Sequence, residues 1–236
     1  MTAHVAPGCN RSNIKGRGTS CALRLLGDGM STATDLDFIH RFVPGQDQAL
    51  APLLLLHGSG GDENDLLPLG GGIGPGRAML SPRGKVNEQG ITRFFRRDDD
   101  GAWDVADLRR RTEELAEFTA RATAAYQMQK PLALGYSNGA NIAWSLLLKE
   151  PALLKGAILL RAMLPFDPRP LPDLSGIPVL LIAATHDELI PVERAGLLAA
   201  LLGEAGADVT YEVLPVFHGL TQEDVALASE WLVRHG

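Results

Sequence analysis

Cysteine is almost missing from this chain. Cys9 and Cys21 are the only two in 236 residues, and both fall in the first 21. No disulfide framework can hold the rest together, which fits a reducing compartment and makes the cytoplasm the expected location. Long hydrophobic runs are missing too. The longest, such as Ala51 to Leu56, have the length of a buried strand, against the roughly 20 apolar residues of a membrane span, so no membrane insertion is expected. Positive charge is not in excess: 22 Lys and Arg face 28 Asp and Glu, a net charge of -6. That argues against nucleic acid as a partner and offers nothing to an anionic membrane surface. There is no internal repeat, and no linker rich enough in Pro, Gly or Ser to divide domains. What remains is a chain 45% hydrophobic, able to bury one large core.

The first 29 residues stand apart. Arg11, Lys15, Arg17 and Arg24 against Asp28 give this segment +3, leaving -9 for the remainder. It lacks the continuous 7–15-residue apolar core of a secretory signal. Met30, followed by Ser31-Thr32-Ala33, looks like an ordinary protein start. Residues 1–29 are therefore expected to be a disordered or non-essential extension, and residues 30–236 the functional domain.

From there the pattern alternates. Leu36–Val43 reads as a strand. Pro52–His57 is a continuous apolar run that ends in glycines, the signature of a strand covered on both faces. Arg77–Ser81 is a short strand, and Thr92–Arg96 a strand or extended loop. Asp104–Gln127 is the longest helical pattern, with Asp104 as cap and Leu108, Leu115, Phe118 and Ala122 on one face. Leu132–Tyr136, Ala157–Leu160, Pro178–Ala184 and Val209–Leu214 are strands. Pro191–Leu202 is helical, and Thr221–Arg234 is a closing helix with Thr221 as cap and Asp224 three residues on. Strands alternating with helices predict an α/β fold: a mostly parallel central sheet with helices on both faces. Gly70-Gly71-Gly72-Ile73-Gly74-Pro75-Gly76 is no phosphate loop, since no Gly-Lys-Ser/Thr follows; a flexible surface loop is expected there.

The chemistry centres on Gly135-Tyr136-Ser137-Asn138-Gly139. As a bare pattern Gly-x-Ser-x-Gly is weak. Here it lies between a buried strand and a helix, the context of a nucleophile elbow, where the serine hydroxyl stands clear of a strained turn. Glycines on both sides avoid collisions with the neighbouring strand and helix. A serine hydroxyl needs a base, and that base a carboxylate. In an open parallel sheet such partners gather just after strands, at the carboxyl edge. His218 follows the strand Val209–Leu214 and is the candidate base. Asp187 follows the strand Pro178–Ala184 and is the candidate acid, with Glu188 its immediate competitor. His57-Gly58-Ser59-Gly60-Gly61 follows the second strand. The backbone N–H groups of Ser59 and Asn138 are the candidate oxyanion donors, and His57 is expected to brace this loop.

Together these stretches resemble the phospholipase/carboxylesterase branch of the α/β-hydrolases, which includes dienelactone-hydrolase-like and acyl-thioesterase-like proteins. The likeness is greatest to small esterases associated with aromatic-ring-cleaving dioxygenases. It is carried by His57-Gly58-Ser59-Gly60-Gly61-Asp62-Glu63-Asn64-Asp65-Leu66, Leu80-Ser81-Pro82-Arg83-Gly84, Gly135 to Asn141, His186-Asp187-Glu188-Leu189-Ile190-Pro191 and Phe217-His218-Gly219, and runs from about Leu36 to the C-terminus. Dienelactone hydrolases proper carry cysteine at the elbow, where this chain has Ser137. The resemblance implies an α/β-hydrolase fold, no metal or cofactor, and a monomer or homodimer.

The expected activity is that of a serine carboxylesterase working through an acyl-enzyme on small soluble esters. The alternatives are an acyl thioesterase, a lysophospholipase, or a non-catalytic binding protein of the same fold. Only Arg161 to Ile177 separate two strands where lids usually enter, and four prolines there preclude a helical lid. Phe94, Phe95, Trp103, Met163 and Phe166 are candidates for an acyl or aryl pocket and equally for the core. Arg161, at a strand end, either contacts a substrate carboxylate or pairs with a local acid.

Overall fold

The computed structural model describes residues 36–97 and 103–236. The expectations for residues 1–29 lie outside the described residues. In chain order the elements are β1 (His40–Val43), β2 (Leu53–Leu56), α1 (Leu67–Ile73), β3 (Met79–Pro82), β4 (Val86–Glu88), β5 (Ile91–Arg93), α2 (Val105–Ala125), β6 (Leu132–Tyr136), α3 (Asn138–Lys149), β7 (Gly156–Leu160), β8 (Pro178–Ala184), α4 (Val192–Glu204), β9 (Asp208–Leu214) and α5 (Gln222–His235). The main sheet runs β1-β3-β2-β6-β7-β8-β9. Only β1 is antiparallel to its neighbour; every other pairing in this sheet is parallel.

The continuous apolar runs follow from covering both faces of this sheet. Side chains alternate along a strand. Leu54 and Leu56 of β2, Leu159 of β7 and Leu181 of β8 therefore pack on one side, with Leu108 and Phe118 of α2, Trp144 of α3 and Leu198 of α4. Leu53 and Leu55, Ile158 and Leu160, and Leu180 and Ile182 pack on the other, with Ile73 of α1 and Trp231 of α5. The arrangement is the expected mostly parallel α/β sheet with helices on both faces. The caps also follow the sequence: Asp104 accepts from the Asp107 N–H at 2.8 Å, and the Thr221 N–H donates to Asp224 Oδ2 at 2.8 Å.

Two local features, the glycine tract and the first strand, differ from the sequence expectation, and a third adds a pairing to it. The glycine tract is helical over its first half, because α1 takes Leu67–Ile73. Gly70 lets that helix lie against the sheet; a Cβ there would sit 2.9 Å from the Met79 sulfur and 3.1 Å from Leu55. Tertiary packing overrides the poor helix propensity of glycine. The stretch Thr92–Arg96 belongs in part to a separate two-stranded hairpin, β4–β5. The first strand is shorter than Leu36–Val43, beginning at His40. Residues 161–177 contain no helix, so there is no helical lid between β7 and β8.

Candidate active site

Ser137 lies between β6 and α3 with φ 52° and ψ -113°. A non-glycine residue with positive φ is strained, and such strain gathers at functional turns. The turn is held by the Ser137 N–H on the Leu160 carbonyl at 2.9 Å and the Asn141 N–H on the Ser137 carbonyl at 3.0 Å. Both flanking glycines are needed. A Cβ on Gly135 would lie 2.5 Å from Ala140 Cα, and one on Gly139 would run into the Leu56 carbonyl.

The three polar candidates come together from three strand ends. His218 Nε2 is 3.1 Å from Ser137 Oγ, and His218 Nδ1 is 2.7 Å from Asp187 Oδ2. Asp187 Oδ1 accepts from the Leu189 and Ile190 N–H groups at 2.8 and 2.9 Å. The Asp187 side chain is fully buried, whereas that of His218 is 20% exposed. A carboxylate facing Nδ1 fixes the proton there, which leaves the Nε2 lone pair toward the serine hydroxyl. Glu188, the competitor, is exposed and the imidazole bonds to Asp187 instead. The His218 loop has a further tie. The Tyr136 hydroxyl donates to the His218 carbonyl at 3.2 Å, and burial raises the Tyr136 phenol above its ordinary pKa.

Ser59 follows β2, and Asn138 follows Ser137 directly. Asn138 is the first residue of α3, so its N–H has no acceptor within the helix. Its side-chain Oδ1 accepts from the Phe94 N–H at 2.7 Å. Ser59 Oγ accepts from Arg93, whose guanidinium pairs with Glu88 at 2.8 Å. The Gly60 N–H donates to the Thr92 carbonyl at 2.8 Å. The β4–β5 hairpin and the residue that follows it thus clamp both loops, a part sequence reasoning missed. Three-residue strands with polar ends leave almost no periodic signal.

His57 braces its loop, as expected. Its Nε2 accepts from the Gly84 N–H at 2.9 Å, so the proton sits on Nδ1, 2.7 Å from the Gly58 carbonyl. Burial lowers its pKa below the ordinary histidine value, which keeps the ring neutral and able to accept that bond.

The pocket candidates divide. Trp103 and Met163 line one cavity of about 370 Å³, together with Leu189 and Pro191 from the Asp187 loop. Phe94 and Phe95 are core residues, and Phe166 packs on Trp144. Arg161 does not line a pocket. It is 0% exposed and pairs with Asp224 through two bonds of 2.8 and 2.9 Å. Of the two readings of Arg161, the local acid is the one realised. Its role is internal, since Nη2 also donates to the Gly219 carbonyl at 3.3 Å, beside His218. Among the described residues no helix is long and apolar enough to cross a membrane, and no group of three or more His, Cys, Asp or Glu could hold a metal ion.

No protein-family model matches the chain. Similar proteins do. MhqD of Bacillus subtilis strain 168, a protein named as a hydrolase, is 44% identical over 181 residues, 76% of this chain and 90% of that protein. The crystal structure of the Bacillus cereus carboxylesterase is 40% identical with a TM-score of 0.83, covering 86% of this chain and 97% of that one. A carboxylesterase from Mesorhizobium loti is 34% identical with a TM-score of 0.79, covering 85% and 96%. With this sheet, these loops and relatives of this closeness over nearly their whole length, the chain belongs to the carboxylesterases and esterase-like hydrolases of the α/β-hydrolase fold.

Proposed function

We propose that the protein is a serine carboxylesterase that hydrolyses small soluble esters through an acyl-enzyme. The observation that carries this is the hydrogen-bonded line Ser137–His218–Asp187 at the carboxyl edge of the sheet. Ser137 Oγ attacks the ester carbonyl carbon while its proton passes to His218 Nε2. The carbonyl oxygen becomes an oxyanion and accepts from the Ser59 and Asn138 N–H groups. The bond to the alcohol oxygen then breaks, and His218 gives that oxygen the proton. Water next attacks the acyl carbon and passes its proton to His218. Ser137 Oγ leaves, recovers the proton, and the carboxylic acid departs. Asp187 remains a carboxylate throughout, orienting the imidazole and stabilising its cation. The sequence needs no cofactor.

Small substrates are favoured by the helix-free segment 161–177, which gives a lipid droplet no lid to displace. The proposal places the enzyme in the cytoplasm, as a monomer or homodimer. The test is hydrolysis of p-nitrophenyl esters from acetate to palmitate, by wild type and Ser137→Ala in parallel. Short chains should turn over fastest, and the variant should lose several orders of magnitude. A preference for palmitate would favour the thioesterase or lysophospholipase alternatives. A variant within about tenfold of wild type would remove Ser137 from its role.

A further inference from the structure

Most of the described arginines pair with acids, among them Arg83 with Glu63, Arg93 with Glu88, Arg96 with Asp104, Arg161 with Asp224 and Arg169 with Glu204. Arg97 and Arg194 do not, and neither do Arg41, Arg77 and Arg109, which bond to an amide, backbone carbonyls or a ring instead. The Arg194 guanidinium reaches only the Leu164 carbonyl, at 3.5 Å, and Arg97 is held through its backbone N–H on Glu88. Among the described residues neither guanidinium has a carboxylate partner. Both line the cavity that Trp103, Met163, Leu189 and Pro191 wall. Arg194 also lies in the first turn of α4, where the helix dipole disfavours a cation. Two like charges line one cavity with no acid among its described lining residues, an arrangement that favours an anion.

Three residues of this cavity, Leu189, Met163 and Trp103, are tied to elements that hold the reacting centre. The Leu189 N–H donates to Asp187. The Met163 N–H donates to Asn141 Oδ1 at 3.0 Å, and the Asn141 N–H to the Ser137 carbonyl. Trp103 packs on Phe95, ring centroids 5.1 Å apart, next to Phe94, whose N–H holds Asn138. The cavity volume, about 370 Å³, lies in the range of small-molecule sites.

We infer that this cavity receives one arm of an ester bound at Ser137 and selects esters in which that arm is apolar or aromatic and ends in a carboxylate, with Arg97 and Arg194 as the specificity-determining residues. The inference rests on the esterase reading above and names its substrate class. The apolar walls remove the body of the arm from water, and the two guanidiniums meet the charge at the rim. The substrate carboxylate sought at Arg161 in the sequence would be met here, because Arg161 is already occupied by Asp224.

The test uses two matched pairs of esters and the full chain, so that Asp98, Asp99 and Asp100, which lie outside the described residues, stay in place. Phenyl butyrate and phenyl hemisuccinate differ by a charge on the acyl arm; phenyl acetate and 4-carboxyphenyl acetate differ by one on the alcohol arm. kcat/KM is measured for wild type and for Arg97→Gln/Arg194→Gln. Intrinsic reactivity cancels because each ester is compared between two enzymes. In one pair the charged-to-neutral ratio of kcat/KM should fall at least about fivefold in the double variant, mainly through KM, and wild type should show the same fall at high salt. The responding pair identifies the arm. Ratios that move less than about twofold in both pairs would overturn the inference while leaving the esterase intact. Wild type that turns over neither neutral ester faster than Ser137→Ala would overturn the esterase reading itself.

Discussion

Arg161 and Asp224 form a fully buried bidentate ion pair, with Nη1–Oδ1 at 2.8 Å and Nη2–Oδ2 at 2.9 Å, joining the end of β7 to the first turn of α5. The same two side chains bracket the loop that carries His218. Arg161 donates to the Gly219 carbonyl, and Asp224 accepts from the Thr221 N–H and hydroxyl. Removing one partner leaves a buried, uncompensated charge, a loss of about 3–5 kcal/mol. Arg161→Met should therefore unfold at much lower urea, whereas Arg161→Met/Asp224→Leu should recover part of the loss. Urea midpoints of the two singles and the double check this; strictly additive losses would mean that the pair is not a unit.

His57 gives a pH signature. Burial lowers its folded-state pKa below the ordinary value of 6.5, so the folded protein resists protonation there and the unfolded chain does not. The stability this neutral ring supplies is fully present above about pH 6.5 and is lost as pH falls from there through the folded pKa. His57→Gln has no such titration. The stability difference between wild type and His57→Gln should therefore move against wild type as pH falls from 8 to 5. Denaturation midpoints that run parallel over that range would show that His57 is not the titrating group.

Glycines in α1 are predicted to respond in opposite directions. Gly71 has open space around it, whereas a Cβ on Gly70 meets Met79 and Leu55. Gly71→Ala should stabilise the fold by up to about 1 kcal/mol, and Gly70→Ala should destabilise it. Thermal melts of the two variants decide the point.

Asn138 is predicted to act through its side chain as well as its N–H. Asn138→Ala leaves the backbone donor in place but strands the buried Phe94 N–H. The expected result is a fall in kcat of about tenfold or more from a loosened oxyanion site, with KM for p-nitrophenyl acetate changed far less. An unaltered kcat would separate the hairpin from catalysis.

The sequence made the central sheet legible for a physical reason. Strands covered on both faces must be apolar throughout, and β2, β7 and β8 are apolar throughout. The strand-to-loop positions of Ser137, Asp187 and His218 followed from the same reading, because the carboxyl ends of parallel strands share one edge. Other features were hidden. α1 consists largely of glycine in its middle turn, and only contact with Leu55 and Met79 explains a helix there. The β4–β5 hairpin is too short and too polar at its ends to show a period of two. Arg161 stood beside the candidate site in sequence, but its partner Asp224 lies 63 residues away, and no local pattern announces a pairing at that distance.

Ser137 as the nucleophile is tested most directly by peptide mass mapping after treatment with a fluorophosphonate. One phosphonyl adduct is expected, on the peptide that contains Ser137, formed far more slowly in His218→Ala. An adduct on another serine, or ester turnover that persists in enzyme whose Ser137 is fully labelled, would contradict it.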